Sequence, residues 1–103
     1  MKTPASAKRA NLPRAAAYTK QFASDWERLS RSGRYDMRQL KEAMLLLIAN
    51  DGPLGREWLD HRLKGEWADH RECHIGGDFL LIYRIEANRL NFIRAGTHAE
   101  LFE

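Results

Sequence analysis

The chain has 103 residues, 44% of them aliphatic or aromatic and 30% charged, with a formal net charge of +3. That length builds one domain around one core, and the composition excludes wholesale disorder. The run MLLLIA is far too short to cross a bilayer, and Cys73, the single cysteine, excludes an intramolecular disulfide.

A cytoplasmic setting without membrane contact is therefore expected, since the N-terminus also carries no apolar stretch of the kind a secretory signal needs. The positive charge is local. Lys2, Lys8, Arg9 and Arg14 fall in the first 14 residues, where there is no acidic side chain, and without them 13 basic residues face 14 acidic ones, a balance of −1. An anion site in the body must come from clustering and not from the overall pI.

Residues 1–13 lack apolar periodicity and read as a flexible basic extension, with 14–103 as a single domain. RAAAYT fits a short first strand. Thr19 is a good N-cap, and Phe22, Trp26 and Leu29 recur at helical spacing until Gly33. A second helix is expected from near Asp36, with Met37, Leu40, Met44, Leu47 and Ile48 on one face, ending at Asn50-Asp51-Gly52-Pro53. Two amphipathic helices with a short join predict an αα-hairpin, with Phe22, Trp26, Met44 and Leu47 in the core.

Turn signals at Gly76-Gly77-Asp78 and Glu86-Ala87-Asn88 then divide strands near 66–75, 79–86 and 89–95. FLLIYRI is apolar on both pleat faces, as a covered central strand requires. The expected class is α+β: a short strand, a helical hairpin, then an antiparallel three-stranded meander. Trp67 is assigned to the core.

His61, His70, His74 and His98 all lie in the β-rich half, and imidazole is the side chain that titrates nearest neutrality. His74 precedes the Gly-Gly-Asp turn, so Asp78 falls close to it, while loops carry His61 and His98 toward the same region. With Arg71 and Arg94 nearby, these groups suit phosphoryl chemistry on RNA. A base takes the 2′-OH proton, an acid protonates the leaving 5′-oxygen, and cations hold the phosphate. An aromatic stacks a splayed base. No metal or other cofactor is needed when the substrate's own 2′-OH is the nucleophile. Cys73 beside His74 is set aside as a nucleophile, because neighbours on a strand point to opposite faces. His70-x-x-x-His74 is set aside as a zinc site for want of further ligands.

DHRLKGEW, HRECHIGGDFLLIY and FIRAGTHAELF resemble the YafQ branch of the RelE-type toxins, the ribosome-dependent mRNA interferases of type II toxin–antitoxin pairs. The resemblance runs from about Gln21 to the end. It implies a microbial-RNase-like sheet with helices on one face, cleavage of mRNA in the ribosomal A site, and a cognate antitoxin that is usually a DNA-binding dimer. It also implies catalytic positions at His61, His74, Asp78 and His98. His98 would be the general acid, Asp78 or His74 the base or its orienting partner, and His61 a stabiliser of charge. Phe102 would stack on a base, Arg71, Arg94 and Lys64 would contact RNA, and Glu72 would join substrate binding or proton transfer. Phe79 stands where the family commonly has tryptophan, and His70 lies outside the matched set as a surface histidine. Two rivals remain at this stage: a non-catalytic ParE-like toxin that binds DNA gyrase, and an RNA- or protein-binding module with a decayed site.

Overall fold

The computed structural model describes residues 14–50 and 53–102. The extension expected over 1–13 lies outside the described residues, as does the Asp51-Gly52 step of the helix-ending turn. Strand β1 (Ala15–Tyr18) leads into helices α1 (Lys20–Ser32) and α2 (Met37–Ala49). After a 3₁₀ turn over Arg56–Trp58 come β2 (His61–Arg62), a second 3₁₀ turn over Gly65–Trp67, then β3 (Arg71–Gly76), β4 (Phe79–Glu86), β5 (Arg89–Thr97) and α3 (His98–Phe102).

The helix starts follow the sequence signals. The Thr19 hydroxyl accepts from the Phe22 N–H at 2.9 Å, and the Asp36 carboxylate accepts from the Gln39 N–H at 3.0 Å. Gly33 closes α1 at φ 70°, a left-handed conformation that glycine adopts without a Cβ clash. At the C-terminal end of α2, Arg14 donates from Nη1 to the Leu47 carbonyl (2.7 Å) and from its backbone to the Ile48 carbonyl (3.0 Å). A cation thus meets the carbonyl end of the helix dipole.

The strands form one sheet in the order β1-β5-β4-β3-β2, with β1 parallel to β5 and the other pairs antiparallel. The helical hairpin covers one face. Phe22, Leu29, Leu40, Ala43 and Leu47 meet Cys73, Ile75, Leu81, Tyr83, Leu90, Phe92 and Ala95 there. The opposite face carries a much smaller cluster of Leu80, Ile82 and Leu101, flanked by Leu63, Trp67 and Ile93. Among the described residues, only the short C-terminal helix α3 and the segment carrying Leu63 and Trp67 pack on that second face.

Beyond Phe92 the strand β5 has no β1 partner, and α1 completes its edge instead. The Thr19 N–H donates to the Phe92 carbonyl (3.1 Å), the Thr19 hydroxyl to the Ile93 carbonyl (2.7 Å), and the Ala95 N–H to Asp25 Oδ2 (3.0 Å).

Three features depart from the expected layout. The strand expected from 66 begins only at Arg71, because Gly65 at φ 67° turns the chain into the 3₁₀ segment. Ahead of it lies a two-residue strand, β2, too short to leave a periodic signal. At the end of the chain, β5 continues through Thr97 and α3 follows it directly. Trp26, Met44 and Trp67, all expected in the core, pack against its margins while remaining partly exposed.

Candidate active site

Register decides which side chains share the open face. His61 pairs with Glu72 across β2 and β3, and His74 lies two residues beyond Glu72 on the same strand, so all three project from one side. Single-residue register shifts follow Ile75 on β3 and Ile93 on β5, placing bulges on either side of β4 near this surface.

Glu72 is the hub. Its side chain is 4% exposed, and its Oε2 lies 3.2 Å from His61 Nε2, 3.6 Å from His74 Nε2 and 4.0 Å from His98 Nε2. Its Oε1 is buried without a hydrogen bond among the described residues. His61 Nδ1 stands 2.7 Å from the Leu59 carbonyl, which can only accept, so Nδ1 carries a proton. His61 Nε2 on the other side of the ring faces Glu72 Oε2 at 3.2 Å.

His98 sits on the rim as the first residue of α3. Its Nδ1 is 2.7 Å from Asp78 Oδ1, and its backbone N–H donates to the same oxygen at 3.3 Å. These hydrogen bonds from His98, the side-chain one foremost, hold the Asp78 carboxyl below the usual carboxylate range. With Nδ1 tied to Asp78, the His98 Nε2 faces the cluster. Rings continue from there: His61 to His74 and His74 to His98 at 6.2 Å between centroids, His98 to Phe102 and Phe102 to Trp67 at 5.7 Å.

The structure brings His61, Glu72, His74, Asp78 and His98 together, with Phe102 exposed beside them. Lys64 is exposed just ahead of the turn that carries Trp67. Arg71 and Arg94 were expected to hold phosphates, but both are bonded to buried carboxylates. Arg71 Nε donates to Asp60 Oδ1 at 2.6 Å, and Arg94 binds both oxygens of Asp25 through Nε (2.7 Å) and Nη2 (3.1 Å). Neither guanidinium is hydrogen-bonded to the Glu72 cluster.

His70 is not a free surface residue either: it is partly buried, its ring edge-on to Trp67 at 5.1 Å and its Nδ1 without a hydrogen bond among the described residues. Cys73 is fully buried on the helical side, and burial pushes its thiol far up, the charges of Asp60 and Glu72 adding to the shift. That suits a small core residue and no nucleophile. Donor atoms of His61, Glu72 and His74 lie within 4.8 Å of one another, a possible metal-binding set different from the His70–His74 pair weighed from spacing.

Residues 14–103 match the family model described as the bacterial toxin of type II toxin-antitoxin system, YafQ. The chain belongs to the YafQ family of toxins. Phe79 does not alter that membership: it is buried and packs against Tyr35 at 5.0 Å, filling its place as a hydrophobe. Among relatives, the mRNA interferase toxin YafQ of Escherichia coli K12 is 40% identical over 91 residues, covering 88% of this chain and 98% of that protein. The toxin in the crystal structure of the E. coli DinJ-YafQ toxin-antitoxin complex superposes with a TM-score of 0.79 at 39% identity, covering 89% of this chain and all of that one. A metal-bound toxin from Helicobacter pylori superposes with a TM-score of 0.70 at 34% identity, over 86% and 99% of the two chains.

Proposed function

We propose that the chain is a toxin that acts as an endoribonuclease, cutting mRNA in the ribosomal A site by metal-independent attack of the substrate's own 2′-OH. The observation that carries this reading is the gathering of three imidazoles around the single buried Glu72 carboxylate, with Asp78 gripping the outermost ring. Such a cluster stores and moves protons near neutral pH.

Asp78 is engaged with His98, so it is the orienting partner of the acid and leaves the base role to His74. His74 takes the 2′-OH proton and O2′ attacks phosphorus. His98 Nε2 then protonates the departing O5′, giving a 2′,3′-cyclic phosphate and a 5′-hydroxyl. His61, tied to the Leu59 carbonyl, presents positive charge toward the phosphorane, and Glu72 balances the protons among the rings. Phe102 stacks on a base and Lys64 contacts the backbone. The near-neutral charge of the body fits an enzyme that takes most of its RNA affinity from the ribosome.

An antitoxin is the expected partner, supported by the E. coli complex, and a DNA-binding dimer is its expected form. The His61–Glu72–His74 donors also favour a second reading, in which a divalent ion binds this site and inhibits by occupying the lone pairs that move protons. The metal-bound H. pylori toxin supports that reading.

Primer extension on a reporter mRNA, after brief induction in a bacterium lacking the antitoxin, tests the main reading. Strong in-frame stops are expected with the wild type and none with His98→Ala. Growth arrest with intact mRNA, undiminished in His98→Ala, would overturn it and favour gyrase as the target. Purified protein is expected to cut mRNA on programmed ribosomes and to leave naked mRNA intact.

A further inference from the structure

The proton-transfer scheme uses neither Arg28 nor Glu100, yet the pair joins the interior of the protein to the segment that carries His98. α3 spans five residues and buries only Leu101, and a helix of that length does not hold itself. Its start is closed by a reciprocal cap: Glu100 Oε1 accepts from the Thr97 N–H (2.9 Å), and the Thr97 hydroxyl accepts from the Glu100 N–H (3.3 Å).

The other oxygen of the same carboxylate, Oε2, receives Arg28 Nη1 at 2.6 Å. Through Nη2, Arg28 also bonds to Asp25 Oδ1 (3.1 Å), and that buried carboxylate is already fixed by Arg94 and by the Ala95 N–H on β5. Gly96 leaves room for the arrangement: a Cβ there would lie 2.6 Å from Glu100 Oε1 and displace the carboxylate.

Arg28 is 43% exposed on its side chain and Glu100 34%, so the ion pair adds little to stability. Its effect is geometric. The capped turn sets the position of His98, and an error of about 1 Å in a reacting group can cost on the order of a hundredfold in rate.

We propose that Arg28 and Glu100 are positioning residues for His98: Arg28, anchored on Asp25, fixes the carboxylate that caps α3 and so sets where the imidazole meets the scissile phosphate. This rests on the endoribonuclease reading. Arg28→Met and Glu100→Gln, the latter keeping an oxygen to cap Thr97, are assayed by single-turnover cleavage of ribosome-bound mRNA. Each is expected to lower the maximal rate about tenfold while half-saturation stays within about twofold. Arg28→Lys should recover part of the loss, and the double variant should lose no more than the worse single one.

Carboxyl-resolved NMR supplies a readout that a loss of stability alone would not move, and because the two variants delete charges of opposite sign, a shift in the same direction in both reports position. In both single variants the Asp78 carboxyl, held low by His98, is expected to titrate closer to the ordinary aspartate value. Rates within twofold of wild type in both variants, or an Asp78 titration that does not move, would overturn the proposal. A wild type that cleaves nothing would sink the endoribonuclease reading instead, and the Asp78 titration would still decide whether the tether positions His98.

Discussion

The two faces of the sheet each bury carboxylates, and they differ in the partners that surround them. Toward the helices, Asp25 (5% exposed on its side chain) is bound by Arg94 and Arg28, and Asp60 (1%) by Arg71 and the Tyr83 hydroxyl. On the open face Glu72 is equally buried but faces His61, His74 and His98. A guanidinium stays protonated at any working pH, so the first two sites are permanently neutralised ion pairs that fix helices and loops to strands. Imidazole is the side chain whose ordinary titration lies nearest neutrality, so in the proposed mechanism the third site is the one that moves protons. On the proposed mechanism, one fold builds a static and a reactive version of the same device.

Substitutions on the two faces should separate these roles. The largest effect is expected from His98→Ala, which should reduce cleavage about a thousandfold, near 4 kcal/mol of barrier, with thermal stability changed by no more than about 0.5 kcal/mol. A loss of rate that merely tracked unfolding would erase the distinction. Asp25→Ala should do the reverse: chemical denaturation is expected to show about 3 kcal/mol lost, since Arg94 is left without its partner and the Ala95 N–H without its acceptor.

Cys73→Ala removes a fully buried sulfur from the helical face. About 1 kcal/mol of stability should go, with ribosome-bound cleavage unchanged. The gentlest test is acid. Burial opposes ionisation of Asp25, but hydrogen bonds from Arg94, the Ala95 N–H and Arg28 outweigh it and hold the carboxyl below its ordinary value of 3.8. Its contribution to stability is therefore complete above that value and fades as pH falls through the lowered one. Denaturation midpoints measured across that acid range should drop in the wild type, and less steeply in Asp25→Asn.

Local signals made the architecture legible. Thr19, Gly33 and Asp36 bound the helices where capping chemistry puts them, and two Gly/Asn turns divide the meander. β2 escaped because two residues carry no period, and α3 because THAELF resembles a tail until Glu100 is seen to cap Thr97. For the site, motif resemblance named His61, His74, His98 and Asp78 and offered Glu72 for substrate binding or proton transfer, but the central position of Glu72 depends on its register opposite His61. Its spacing of two from His74 was the available hint.

The carboxylate partners of the arginines were not legible in the sequence. Asp25 stands on the apolar stripe of Phe22, Trp26 and Leu29, a position where a carboxylate demands a cation. Its partner Arg94 is 69 residues away, and no spacing rule links the two.

The chemistry of the cut ends tests the central claim most directly. Purified wild type is added to ribosomes holding a short labelled mRNA, and the termini of the two fragments are determined by mass spectrometry. Proton transfer among His74, His98 and the 2′-OH requires a 2′,3′-cyclic phosphate on the upstream fragment and a 5′-hydroxyl on the downstream one. A 3′-hydroxyl paired with a 5′-phosphate would mean that water and not the ribose is the nucleophile, and would contradict the account.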